Sequence, residues 1–264
     1  ERGYLTELYY FALSFFVYGF LGWCTEVAYA AAKQGKFVNR GFLNGPICPV
    51  YGIGVGVVVQ FLTPVENNLV LLYISSTILV TVIEGITGFL LGKIFHNKWW
   101  DYSEQPLNIG GYVCVLFSLI WGVFCVLIVK IIHPLIYKVL TMIPLVLGIV
   151  VMACLAVGLL ADLYVTASGI LKMNRRLEAM EKIAAELKEL SDKVGENIYE
   201  NVMEGMEFRE EKKARIEELK AKYEEMAENR TKVGERLVKA FPKMQVGQHK
   251  EIFEELRERI KRSK

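Results

Sequence analysis

The sequence predicts an all-α polytopic membrane protein with about five transmembrane helices and a C-terminal cytoplasmic helical hairpin or coiled coil. Residues 1–169 hold only 8 of the 31 Lys and Arg residues and 8 of the 29 Asp and Glu residues, whereas residues 170–264 hold the remainder. A nearly uncharged stretch of this length is typical of lipid-embedded helices, and a densely charged one cannot lie in a bilayer. We therefore predict a transmembrane domain over residues 1–169 and a charged cytoplasmic helical tail over residues 170–264.

Five apolar stretches approach the roughly 20 residues that a helix needs to cross the hydrocarbon core. They lie near residues 4–32, 46–62, 68–95, 107–132 and 140–168. The second is short, begins at Pro46 and contains Gly52, Gly54 and Gly56, so a kinked or partly re-entrant span is an alternative there. We interpret these glycines as sites of close helix packing, because they lack the spacing of a dinucleotide fingerprint.

The basic residues of the short loops predict the orientation of the spans. One side of the membrane would carry Arg2, Lys130 and Lys138. The other side would carry the remaining basic residues near the span ends, which are Lys33, Lys36, Arg40, Lys93, Lys98, Lys172, Arg175 and Arg176. This asymmetry predicts a multi-pass membrane protein with its N-terminus outside and its tail in the cytoplasm. Neither half is strongly basic, which argues against nucleic acid as a partner.

Three carboxylates fall within the predicted spans away from the span ends, at Glu26, Glu84 and Asp162. An ionisable group at the centre of a membrane helix costs about 2.5–3.5 kcal/mol on insertion scales, so each must face protein, water or a partner. Each shares a helix face with small residues, and such faces are where membrane helices touch. With the N-terminus outside, all three would lie in the cytoplasmic half of the membrane, where they could converge.

We predict a polar substrate or ion cavity that opens to the cytoplasm and is built from Glu26, Arg40, Asn44, Glu84 and Asp162. Arg40 is the expected basic partner, because a guanidinium can clamp a carboxylate bidentately. One arginine cannot neutralise three acids, so the others would be protonated, hydrogen-bonded, or bound to a cation or cationic substrate. The alternative is that each acid hydrogen-bonds to neighbouring helices or snorkels to the interface.

The loop before the fourth predicted span carries Trp99, Trp100, Asp101, Tyr102 and Asn108. Aromatic residues at a membrane boundary are ordinary interface anchors, and that is the alternative for the two tryptophans. Asp101 and Asn108 are not explained by anchoring and indicate an ordered loop. We predict that this loop caps the cavity or forms a docking surface for a partner.

The sequence gives no support for an enzyme, a cofactor or a metal centre. The run from Gly88 to Lys93 is one residue short of a P-loop and is followed by Ile94, so it does not predict nucleotide binding. Any ATPase that works with this protein would have to be another chain. The histidines are scattered and fit no metal-ligand spacing. The five cysteines form no C-x-x-C pair, and we interpret them as packing residues.

Apolar residues in the tail recur at alternating steps of three and four, as in the seam of packed helices. The first series runs from Leu177 to Ile198 and the second from Ile216 to Ala240, with Arg230 interrupting it. A turn near Gly205 would make an antiparallel hairpin, Pro242 would end the second helix, and residues 248–262 could form a third. The alternatives for this tail are a solvated helical stalk and a coiled coil that dimerises or binds a partner.

The loops carry a combination of motifs that resembles the ABC-transporter type IV permeases, a family of bacterial membrane proteins also called CmpB-like. The motifs are GFLGWCTE at 19–26, NRGFLNGP at 39–46, PVYG at 49–52, EG at 84–85, WWDYS at 99–103, PLNI at 106–109, GY at 111–112 and RLVKAFP at 236–242. The resemblance covers roughly residues 8–170. It implies a permease role without naming what is transported.

The favoured function is therefore a transporter permease component with a cytoplasm-facing polar cavity. Its expected partners are membrane lipids, a separate ATPase subunit and further copies of the chain, because five helices make a small translocator. One alternative is a membrane scaffold or sensor that acts through its coiled-coil tail. Another is a lipid-headgroup-binding protein or enzyme that uses the intramembrane acids and Arg40.

Overall fold

The computed structural model describes residues 2–200, 205–247 and 249–262, and the predicted class is confirmed as an all-α polytopic membrane protein. The helices are α1 (Arg2–Gln34), α2 (Pro49–Leu62), α3 (Leu69–Phe95), α4 (Val115–Leu127), α5 (His133–Leu140), α6 (Leu145–Glu200), α7 (Gly205–Glu228), α8 (Lys232–Ala240) and α9 (Lys250–Arg262). Two-residue strands are β1 (Asn97–Lys98), β2 (Asn108–Ile109), β3 (Val113–Cys114) and β4 (Gln245–Val246).

In the described part of the chain, four helices are long and apolar enough to cross a membrane: Leu5–Gln34, Leu69–Phe95, Val115–Leu140 and the helix that begins at Leu145. The second predicted span is the exception, because α2 and the 3-10 turn Thr63–Val65 after it form only a short apolar helix. It is also the span that the sequence marks as irregular.

The fourth span differs from the prediction at both ends. Residues 107–114 are not helical, because positive φ angles at Leu107, Gly110 and Gly111 turn the chain into the antiparallel β2–β3 hairpin. Residues 133–139, predicted as a loop, continue the helix to Leu140. Pro134 is tolerated there because the π-helical turn Ile128–Ile132 precedes it, and this wider turn relieves the clash of the proline ring with the preceding carbonyl.

The chain divides into two compact units. Unit 1 comprises residues 1–167 and 239–245, and unit 2 comprises residues 168–238 and 246–264. No helix end marks the change from apolar to charged sequence, since α6 is continuous from Leu145 to Glu200. Residues 239–245, which belong in sequence to the tail, are part of unit 1, and we call them the 239–245 segment.

Close contact between α1 and α2 organises unit 1. A Cβ atom on Gly52 would lie 2.5 Å from the carbonyl oxygen of Phe15, and one on Gly56 would lie 2.8 Å from the ring of Phe11. Helices approach this closely only where a side chain is missing. The interpretation of these two glycines as packing sites is confirmed. An apolar core adjoins them, formed by Val58, Leu62, Leu72, Cys125 and Val129.

Buried apolar residues such as Leu177 and Phe253 form the interior of unit 2, and ion pairs at the surface join its helices. Arg215 of α7 pairs with Glu186 of α6 at 3.0 Å, and Arg259 of α9 pairs with Glu224 of α7 at 2.6 Å. The turn that would join α6 to α7, residues 201–204, lies outside the described residues. The second tail helix is broken at Arg230 into α7 and α8, and the hydroxyl of Thr231 caps α8 by accepting from the Gly234 N–H.

Candidate functional site

The first loop, residues 35–48 between α1 and α2, is organised by the amide of Asn39. Its Oδ1 accepts from Trp23 Nε1 at 2.8 Å and from the Gly41 N–H at 3.1 Å. Its Nδ2 donates to the carbonyl of Asn44 at 2.7 Å. One side chain thus ties the loop to α1 and fixes the position of Asn44.

Asp162 of α6 accepts hydrogen bonds mainly from the same loop. Its Oδ1 accepts from Asn44 Nδ2 at 2.8 Å and from the Asn44 N–H at 3.1 Å, and its Oδ2 accepts from the Gly45 N–H at 2.6 Å. The hydroxyl of Thr166, one turn along α6, donates to Oδ1 at 3.2 Å. Both oxygens of this carboxylate are therefore engaged, and the group anchors the first loop to α6.

Glu26 of α1 faces the first loop and α2. Arg40 Nε lies 3.1 Å from its Oε2, and the hydroxyl of Tyr51 donates to its Oε1 at 2.7 Å. The Nε–H of Arg40 is aligned with no acceptor among the described residues, so a simple ion pair takes the place of the predicted bidentate clamp. The guanidinium also lies over the ring of Tyr29, 4.7 Å from its centroid. Gly22 makes room for Tyr51, because a Cβ there would lie 2.3 Å from that ring.

Glu84 of α3 has the least complete set of partners among the three acids. The hydroxyl of Tyr102 donates to its Oε1 over a long 3.3 Å. Its Oε2 is buried and has no hydrogen-bond partner in the described part of the chain. Burial together with the charges of Glu84 and Glu26 raises the pKa of Tyr102 above its usual range, which places this hydroxyl in the field of both acids.

The face of α4 connects the two carboxylate–tyrosine pairs. The ring of Tyr51 packs edge-on against Trp121 with centroids 5.8 Å apart, and the ring of Tyr102 stacks on Phe117 with centroids 4.9 Å apart. Phe117 and Trp121 are one helical turn apart and therefore share a face of α4. The acids Glu26 and Glu84 are thus each bound by a tyrosine that rests on the same helix face.

The second loop, residues 96–114, is held by Asp101 and Asn108. Asp101 Oδ1 accepts from Lys98 Nζ at 2.6 Å and from the hydroxyl of Ser103 at 2.6 Å. Burial alone would raise the pKa of Asp101, but hydrogen bonds from Lys98 and Ser103 outweigh it and hold the pKa at about 2. Asn108 donates to the carbonyl of Gln105 at 2.8 Å. The order that the sequence indicates for this loop is therefore produced by Asp101 and Asn108.

The tryptophans of the second loop point inward. Trp99 is only 3% exposed and packs against Phe42 of the first loop and Phe241 of the 239–245 segment, with centroids 5.1 and 5.3 Å apart. Trp100 donates its Nε1–H to the carbonyl of Tyr112 at 2.8 Å. In the same segment, Gln245 donates to Asp101 Oδ2 at 3.0 Å. The chain itself thus covers much of the surface that the sequence suggests for docking.

Strand β2 and the residue before it present the exposed large apolar side chains of this loop, Leu107 and Ile109, and we call this pair the loop tip. Leu107 is 74% exposed and Ile109 is 71% exposed. Leu107 also has a φ of 54°, a conformation that L side chains rarely adopt, so the surrounding structure imposes it. The sequence marks Asn108 between these two residues but gives no sign that its apolar neighbours are the ones that protrude.

A cavity of about 500 Å³ lies at the opposite end of α1 and α2 from the two loops. It is lined by Gly3, Thr6, Glu7, Tyr10, Phe11, Ser14, Tyr18, Gly56, Val59, Gln60, His133 and Tyr137. The hydroxyl of Tyr18 and Nδ1 of His133 are hydrogen-bonded at 2.9 Å. Among the side chains that the structure describes, the lining includes one acid and no lysine or arginine. We call this space the Tyr18 cavity.

The predicted cavity residues therefore form three centres. Glu26 pairs with Arg40, Asp162 binds Asn44, and Glu84 contacts Tyr102. None of the hydrogen bonds and ion pairs described above joins one acid to another. Sequence reasoning does not identify Tyr51, Thr166 or Asn39 as partners, although Tyr51 and Asn39 lie inside the motifs quoted above.

The fold and these centres define a polytopic helical membrane protein with acids held inside its helix bundle. The family model described as "Putative ABC-transporter type IV" matches residues 13–167, and the chain belongs to this family. The match confirms the resemblance carried by the loop motifs and supports a membrane protein of the ABC-transporter class. Searches of curated proteins and of solved structures each found no significant match.

Proposed function

We propose that the chain is the permease subunit of an ABC-type transporter in the bacterial cytoplasmic membrane, and that it moves a cation or a cationic substrate. Its N-terminus would be outside, its tail and both loops would be cytoplasmic, and two or more copies would assemble with a separate ATPase. Family membership supports the transporter class. The observation that carries the cationic substrate is the incomplete coordination of Glu84.

The three acids differ in how fully their carboxylate oxygens are already bound by neighbouring residues. Asp162 has both oxygens engaged by hydrogen bonds, and Glu26 has a cationic partner in Arg40. Glu84 has one long hydrogen bond and one buried oxygen without a partner. A buried carboxylate in that state is costly unless it takes up a proton or binds a cation. Glu84 is therefore the acid that we assign to the substrate.

The Tyr18 cavity supplies an entry on the other side of the membrane. Its α1 lining includes Glu7, Ser14 and Tyr18, and Glu26 lies about two helical turns further along the same helix. Glu26 lies roughly 12 Å beyond Tyr18, at about 1.5 Å per residue. A lining with one acid and no lysine or arginine among its described side chains favours cations over anions. The cavity and the acids together provide a route along α1.

A substitution of Glu84 by Gln tests this assignment. In neutral-lipid nanodiscs, we expect sodium, magnesium or tetramethylammonium chloride, compared at constant ionic strength, to raise the Tm of the wild-type chain saturably. A probe at about 100 times its Kd contributes about 2.7 kcal/mol, or about 5–10 °C for a chain of this size. Gln keeps the shape of the side chain but removes its charge, so Glu84→Gln should abolish the rise.

Glu104→Gln is the matched control, because the Glu104 side chain is 88% exposed. It should respond to the probe salts as the wild type does. A wild-type Tm that none of the three salts changes would contradict the cation proposal. An equal response from Glu84→Gln would show that the cation does not bind at Glu84.

We further propose that the ATPase subunit docks on the tip of the second loop, at Leu107 and Ile109. Both side chains are largely exposed, and the β2–β3 hairpin that carries them is braced by Asp101 and Asn108. A rigid, protruding apolar pair is a suitable anchor for a partner groove. Trp99 and Asp101, in contrast, contact Phe241 and Gln245 of the 239–245 segment, and these contacts hold the loop that carries Leu107 and Ile109.

A negative charge introduced at Leu107 or Ile109 should weaken binding of the ATPase subunit to this chain. We expect Leu107→Glu or Ile109→Glu to reduce the recovery of an ATP-binding chain in affinity purification from native membranes by about tenfold or more, since loss of an interface anchor costs about 2 kcal/mol or more. Mass spectrometry with quantification would measure this. Equal amounts of each variant in the membrane fraction would show that anchoring in the membrane is intact.

Met142→Glu is the control, because Met142 is 71% exposed on the connection at the other end of the bundle. It should leave recovery of the ATP-binding chain unchanged. If the wild-type chain brings down no protein with Walker motifs, the permease proposal itself fails. If Met142→Glu lowers recovery as much as the tip variants do, docking at the tip is wrong.

A second candidate function is a sensor that acts through the tail. The 239–245 segment supports it, because Phe241 packs on Trp99 and Gln245 hydrogen-bonds to Asp101. Lys243 also lies 3.9 Å from Glu104 of the second loop. A ligand or partner of the tail that displaced this segment would act directly on the second loop. The copurification above distinguishes the two, since a sensor requires no ATPase.

A further inference from the structure

Arg176 of α6, within unit 2, has an unsatisfied guanidinium edge. Its Nη1 donates to the carbonyl of Asn229 at 2.6 Å, which fixes the orientation of the group. Its Nε and Nη2 have no hydrogen-bond partner among the described residues and are closed to a water-sized probe, so the group must rotate slightly toward the pocket before a ligand reaches them. These two nitrogens form the edge that binds two oxygens of one phosphate or carboxylate in parallel. A charged donor left in this state is costly, so an acceptor is missing.

The charges around this edge are predominantly positive. Lys172, Arg176, Arg230 and Glu235 line one small pocket, which gives three cations against one acid. Arg176 and Arg230 are close enough for their charges to repel each other. Glu235 does not satisfy the open edge, since neither Nε nor Nη2 of Arg176 has an acceptor. An anion in the pocket would relieve both the repulsion and the unpaired donors.

The dimensions and walls of the pocket limit the ligand. Its volume of about 40 Å³ fits one compact anion and excludes a nucleoside. The α8 N-terminus at Thr231 adds the partial positive charge of a helix end on the same side. The remaining wall is apolar and consists of Met173, Val238, Phe253, Leu256 and Ile260.

We propose that this pocket, here called the Arg176 pocket, binds a phosphate group on the Nε–Nη2 edge of Arg176 with Arg230 as its second cation. The phosphate is that of an anionic lipid headgroup or is free in solution. Arg176 follows closely the apolar segment that the sequence predicts to end at residue 168, and the apolar wall suits a phosphate that carries an alkyl group. The site does not depend on the transport proposal.

The test uses the full chain in nanodiscs of two compositions. In phosphatidylcholine nanodiscs, sodium phosphate is added at constant ionic strength. In the other arm, part of the phosphatidylcholine is replaced by phosphatidylglycerol. We expect one of these additions to raise the Tm of the wild type, with half-saturation shifted at least about tenfold in Arg176→Gln, because a bidentate charge-assisted pair is lost. A rise only with phosphatidylglycerol assigns a lipid, and a rise with phosphate in the neutral nanodisc assigns the free anion.

Two further variants separate the effect of the Arg176 edge from a general effect of charge or of folding. Arg175→Gln removes one charge at the exposed neighbouring position and should respond as the wild type does. Arg176→Lys keeps the charge but lacks the two-nitrogen edge, so it should weaken the response about tenfold while the chain stays folded. A response of Arg176→Gln and Arg176→Lys equal to that of Arg175→Gln would overturn the site. So would a wild-type Tm unaffected in both arms.

Discussion

Replacement of Asp162 by Ala is expected to lower the Tm of the purified chain by about 5–15 °C. The carboxylate accepts from the Asn44 and Gly45 N–H groups and from Asn44 Nδ2, and all three donors belong to the first loop. A buried donor that loses its acceptor costs about 1–3 kcal/mol. Partial access of water limits the total to about 2–4 kcal/mol, which corresponds to this Tm change for a chain of this size.

The comparison for this variant is Asp192→Ala, which removes an exposed carboxylate from the same helix and should change the Tm by less than about 1–2 °C. Asp162→Asn should fall between the two, because the amide retains one acceptor oxygen. Thermal unfolding of all three in the same detergent measures the difference. An Asp162→Ala chain as stable as Asp192→Ala would mean that the first loop does not depend on this carboxylate.

Replacement of Gly52 by Ala should disrupt the contact between α1 and α2. The new Cβ would lie 2.5 Å from the carbonyl oxygen of Phe15 and 2.6 Å from a ring carbon of the same residue. The carbonyl belongs to a helix backbone and cannot rotate away, so the helices must separate. Overpacking of this kind costs about 1–3 kcal/mol, and we expect a Tm loss of about 3–10 °C.

Gly54→Ala is an unusually close control, because it lies on the same helix two residues away. A Cβ there meets only a methyl of Ile83 at 3.8 Å, which is an ordinary contact. Its Tm should equal or slightly exceed that of the wild type, since Ala is a better helix former than Gly. Equal Tm values for the two variants would show that α1 and α2 are not packed as described.

Hydropathy and charge patterns predicted the fold class correctly. They did not predict the ends of the fourth span, because local backbone geometry determines where that helix begins and ends. Leu107 and Ile109 are apolar, so the sequence places them in the fourth span. The chain instead reverses there, because Gly110 and Gly111 adopt positive φ angles. In the other direction, Pro134 suggests a loop, yet a π-helical turn before it lets the helix continue. Neither effect is visible in average hydrophobicity.

The candidate site was predictable at the level of residue type but not of pairing. The cost of a charge in a membrane singles out Glu26, Glu84 and Asp162, and the partners Arg40 and Asn44 were also expected. Which acid each partner serves depends on loop geometry, and a shared pattern of small residues cannot reveal it. Tyr51 and Tyr102 were missed as ligands of the acids for a similar reason, since a tyrosine near a membrane boundary is usually an anchor.

The contact between Phe241 and Trp99, which are distant in sequence, affects the order in which the protein is assembled. The chain leaves the ribosome from its N-terminus, so the second loop emerges roughly 140 residues before the segment that covers it. At about 5–20 residues per second, this interval is about 7–30 s. During that time the ring of Trp99 lacks one of its aromatic neighbours. The membrane unit therefore reaches its final packing only after the tail has been synthesised.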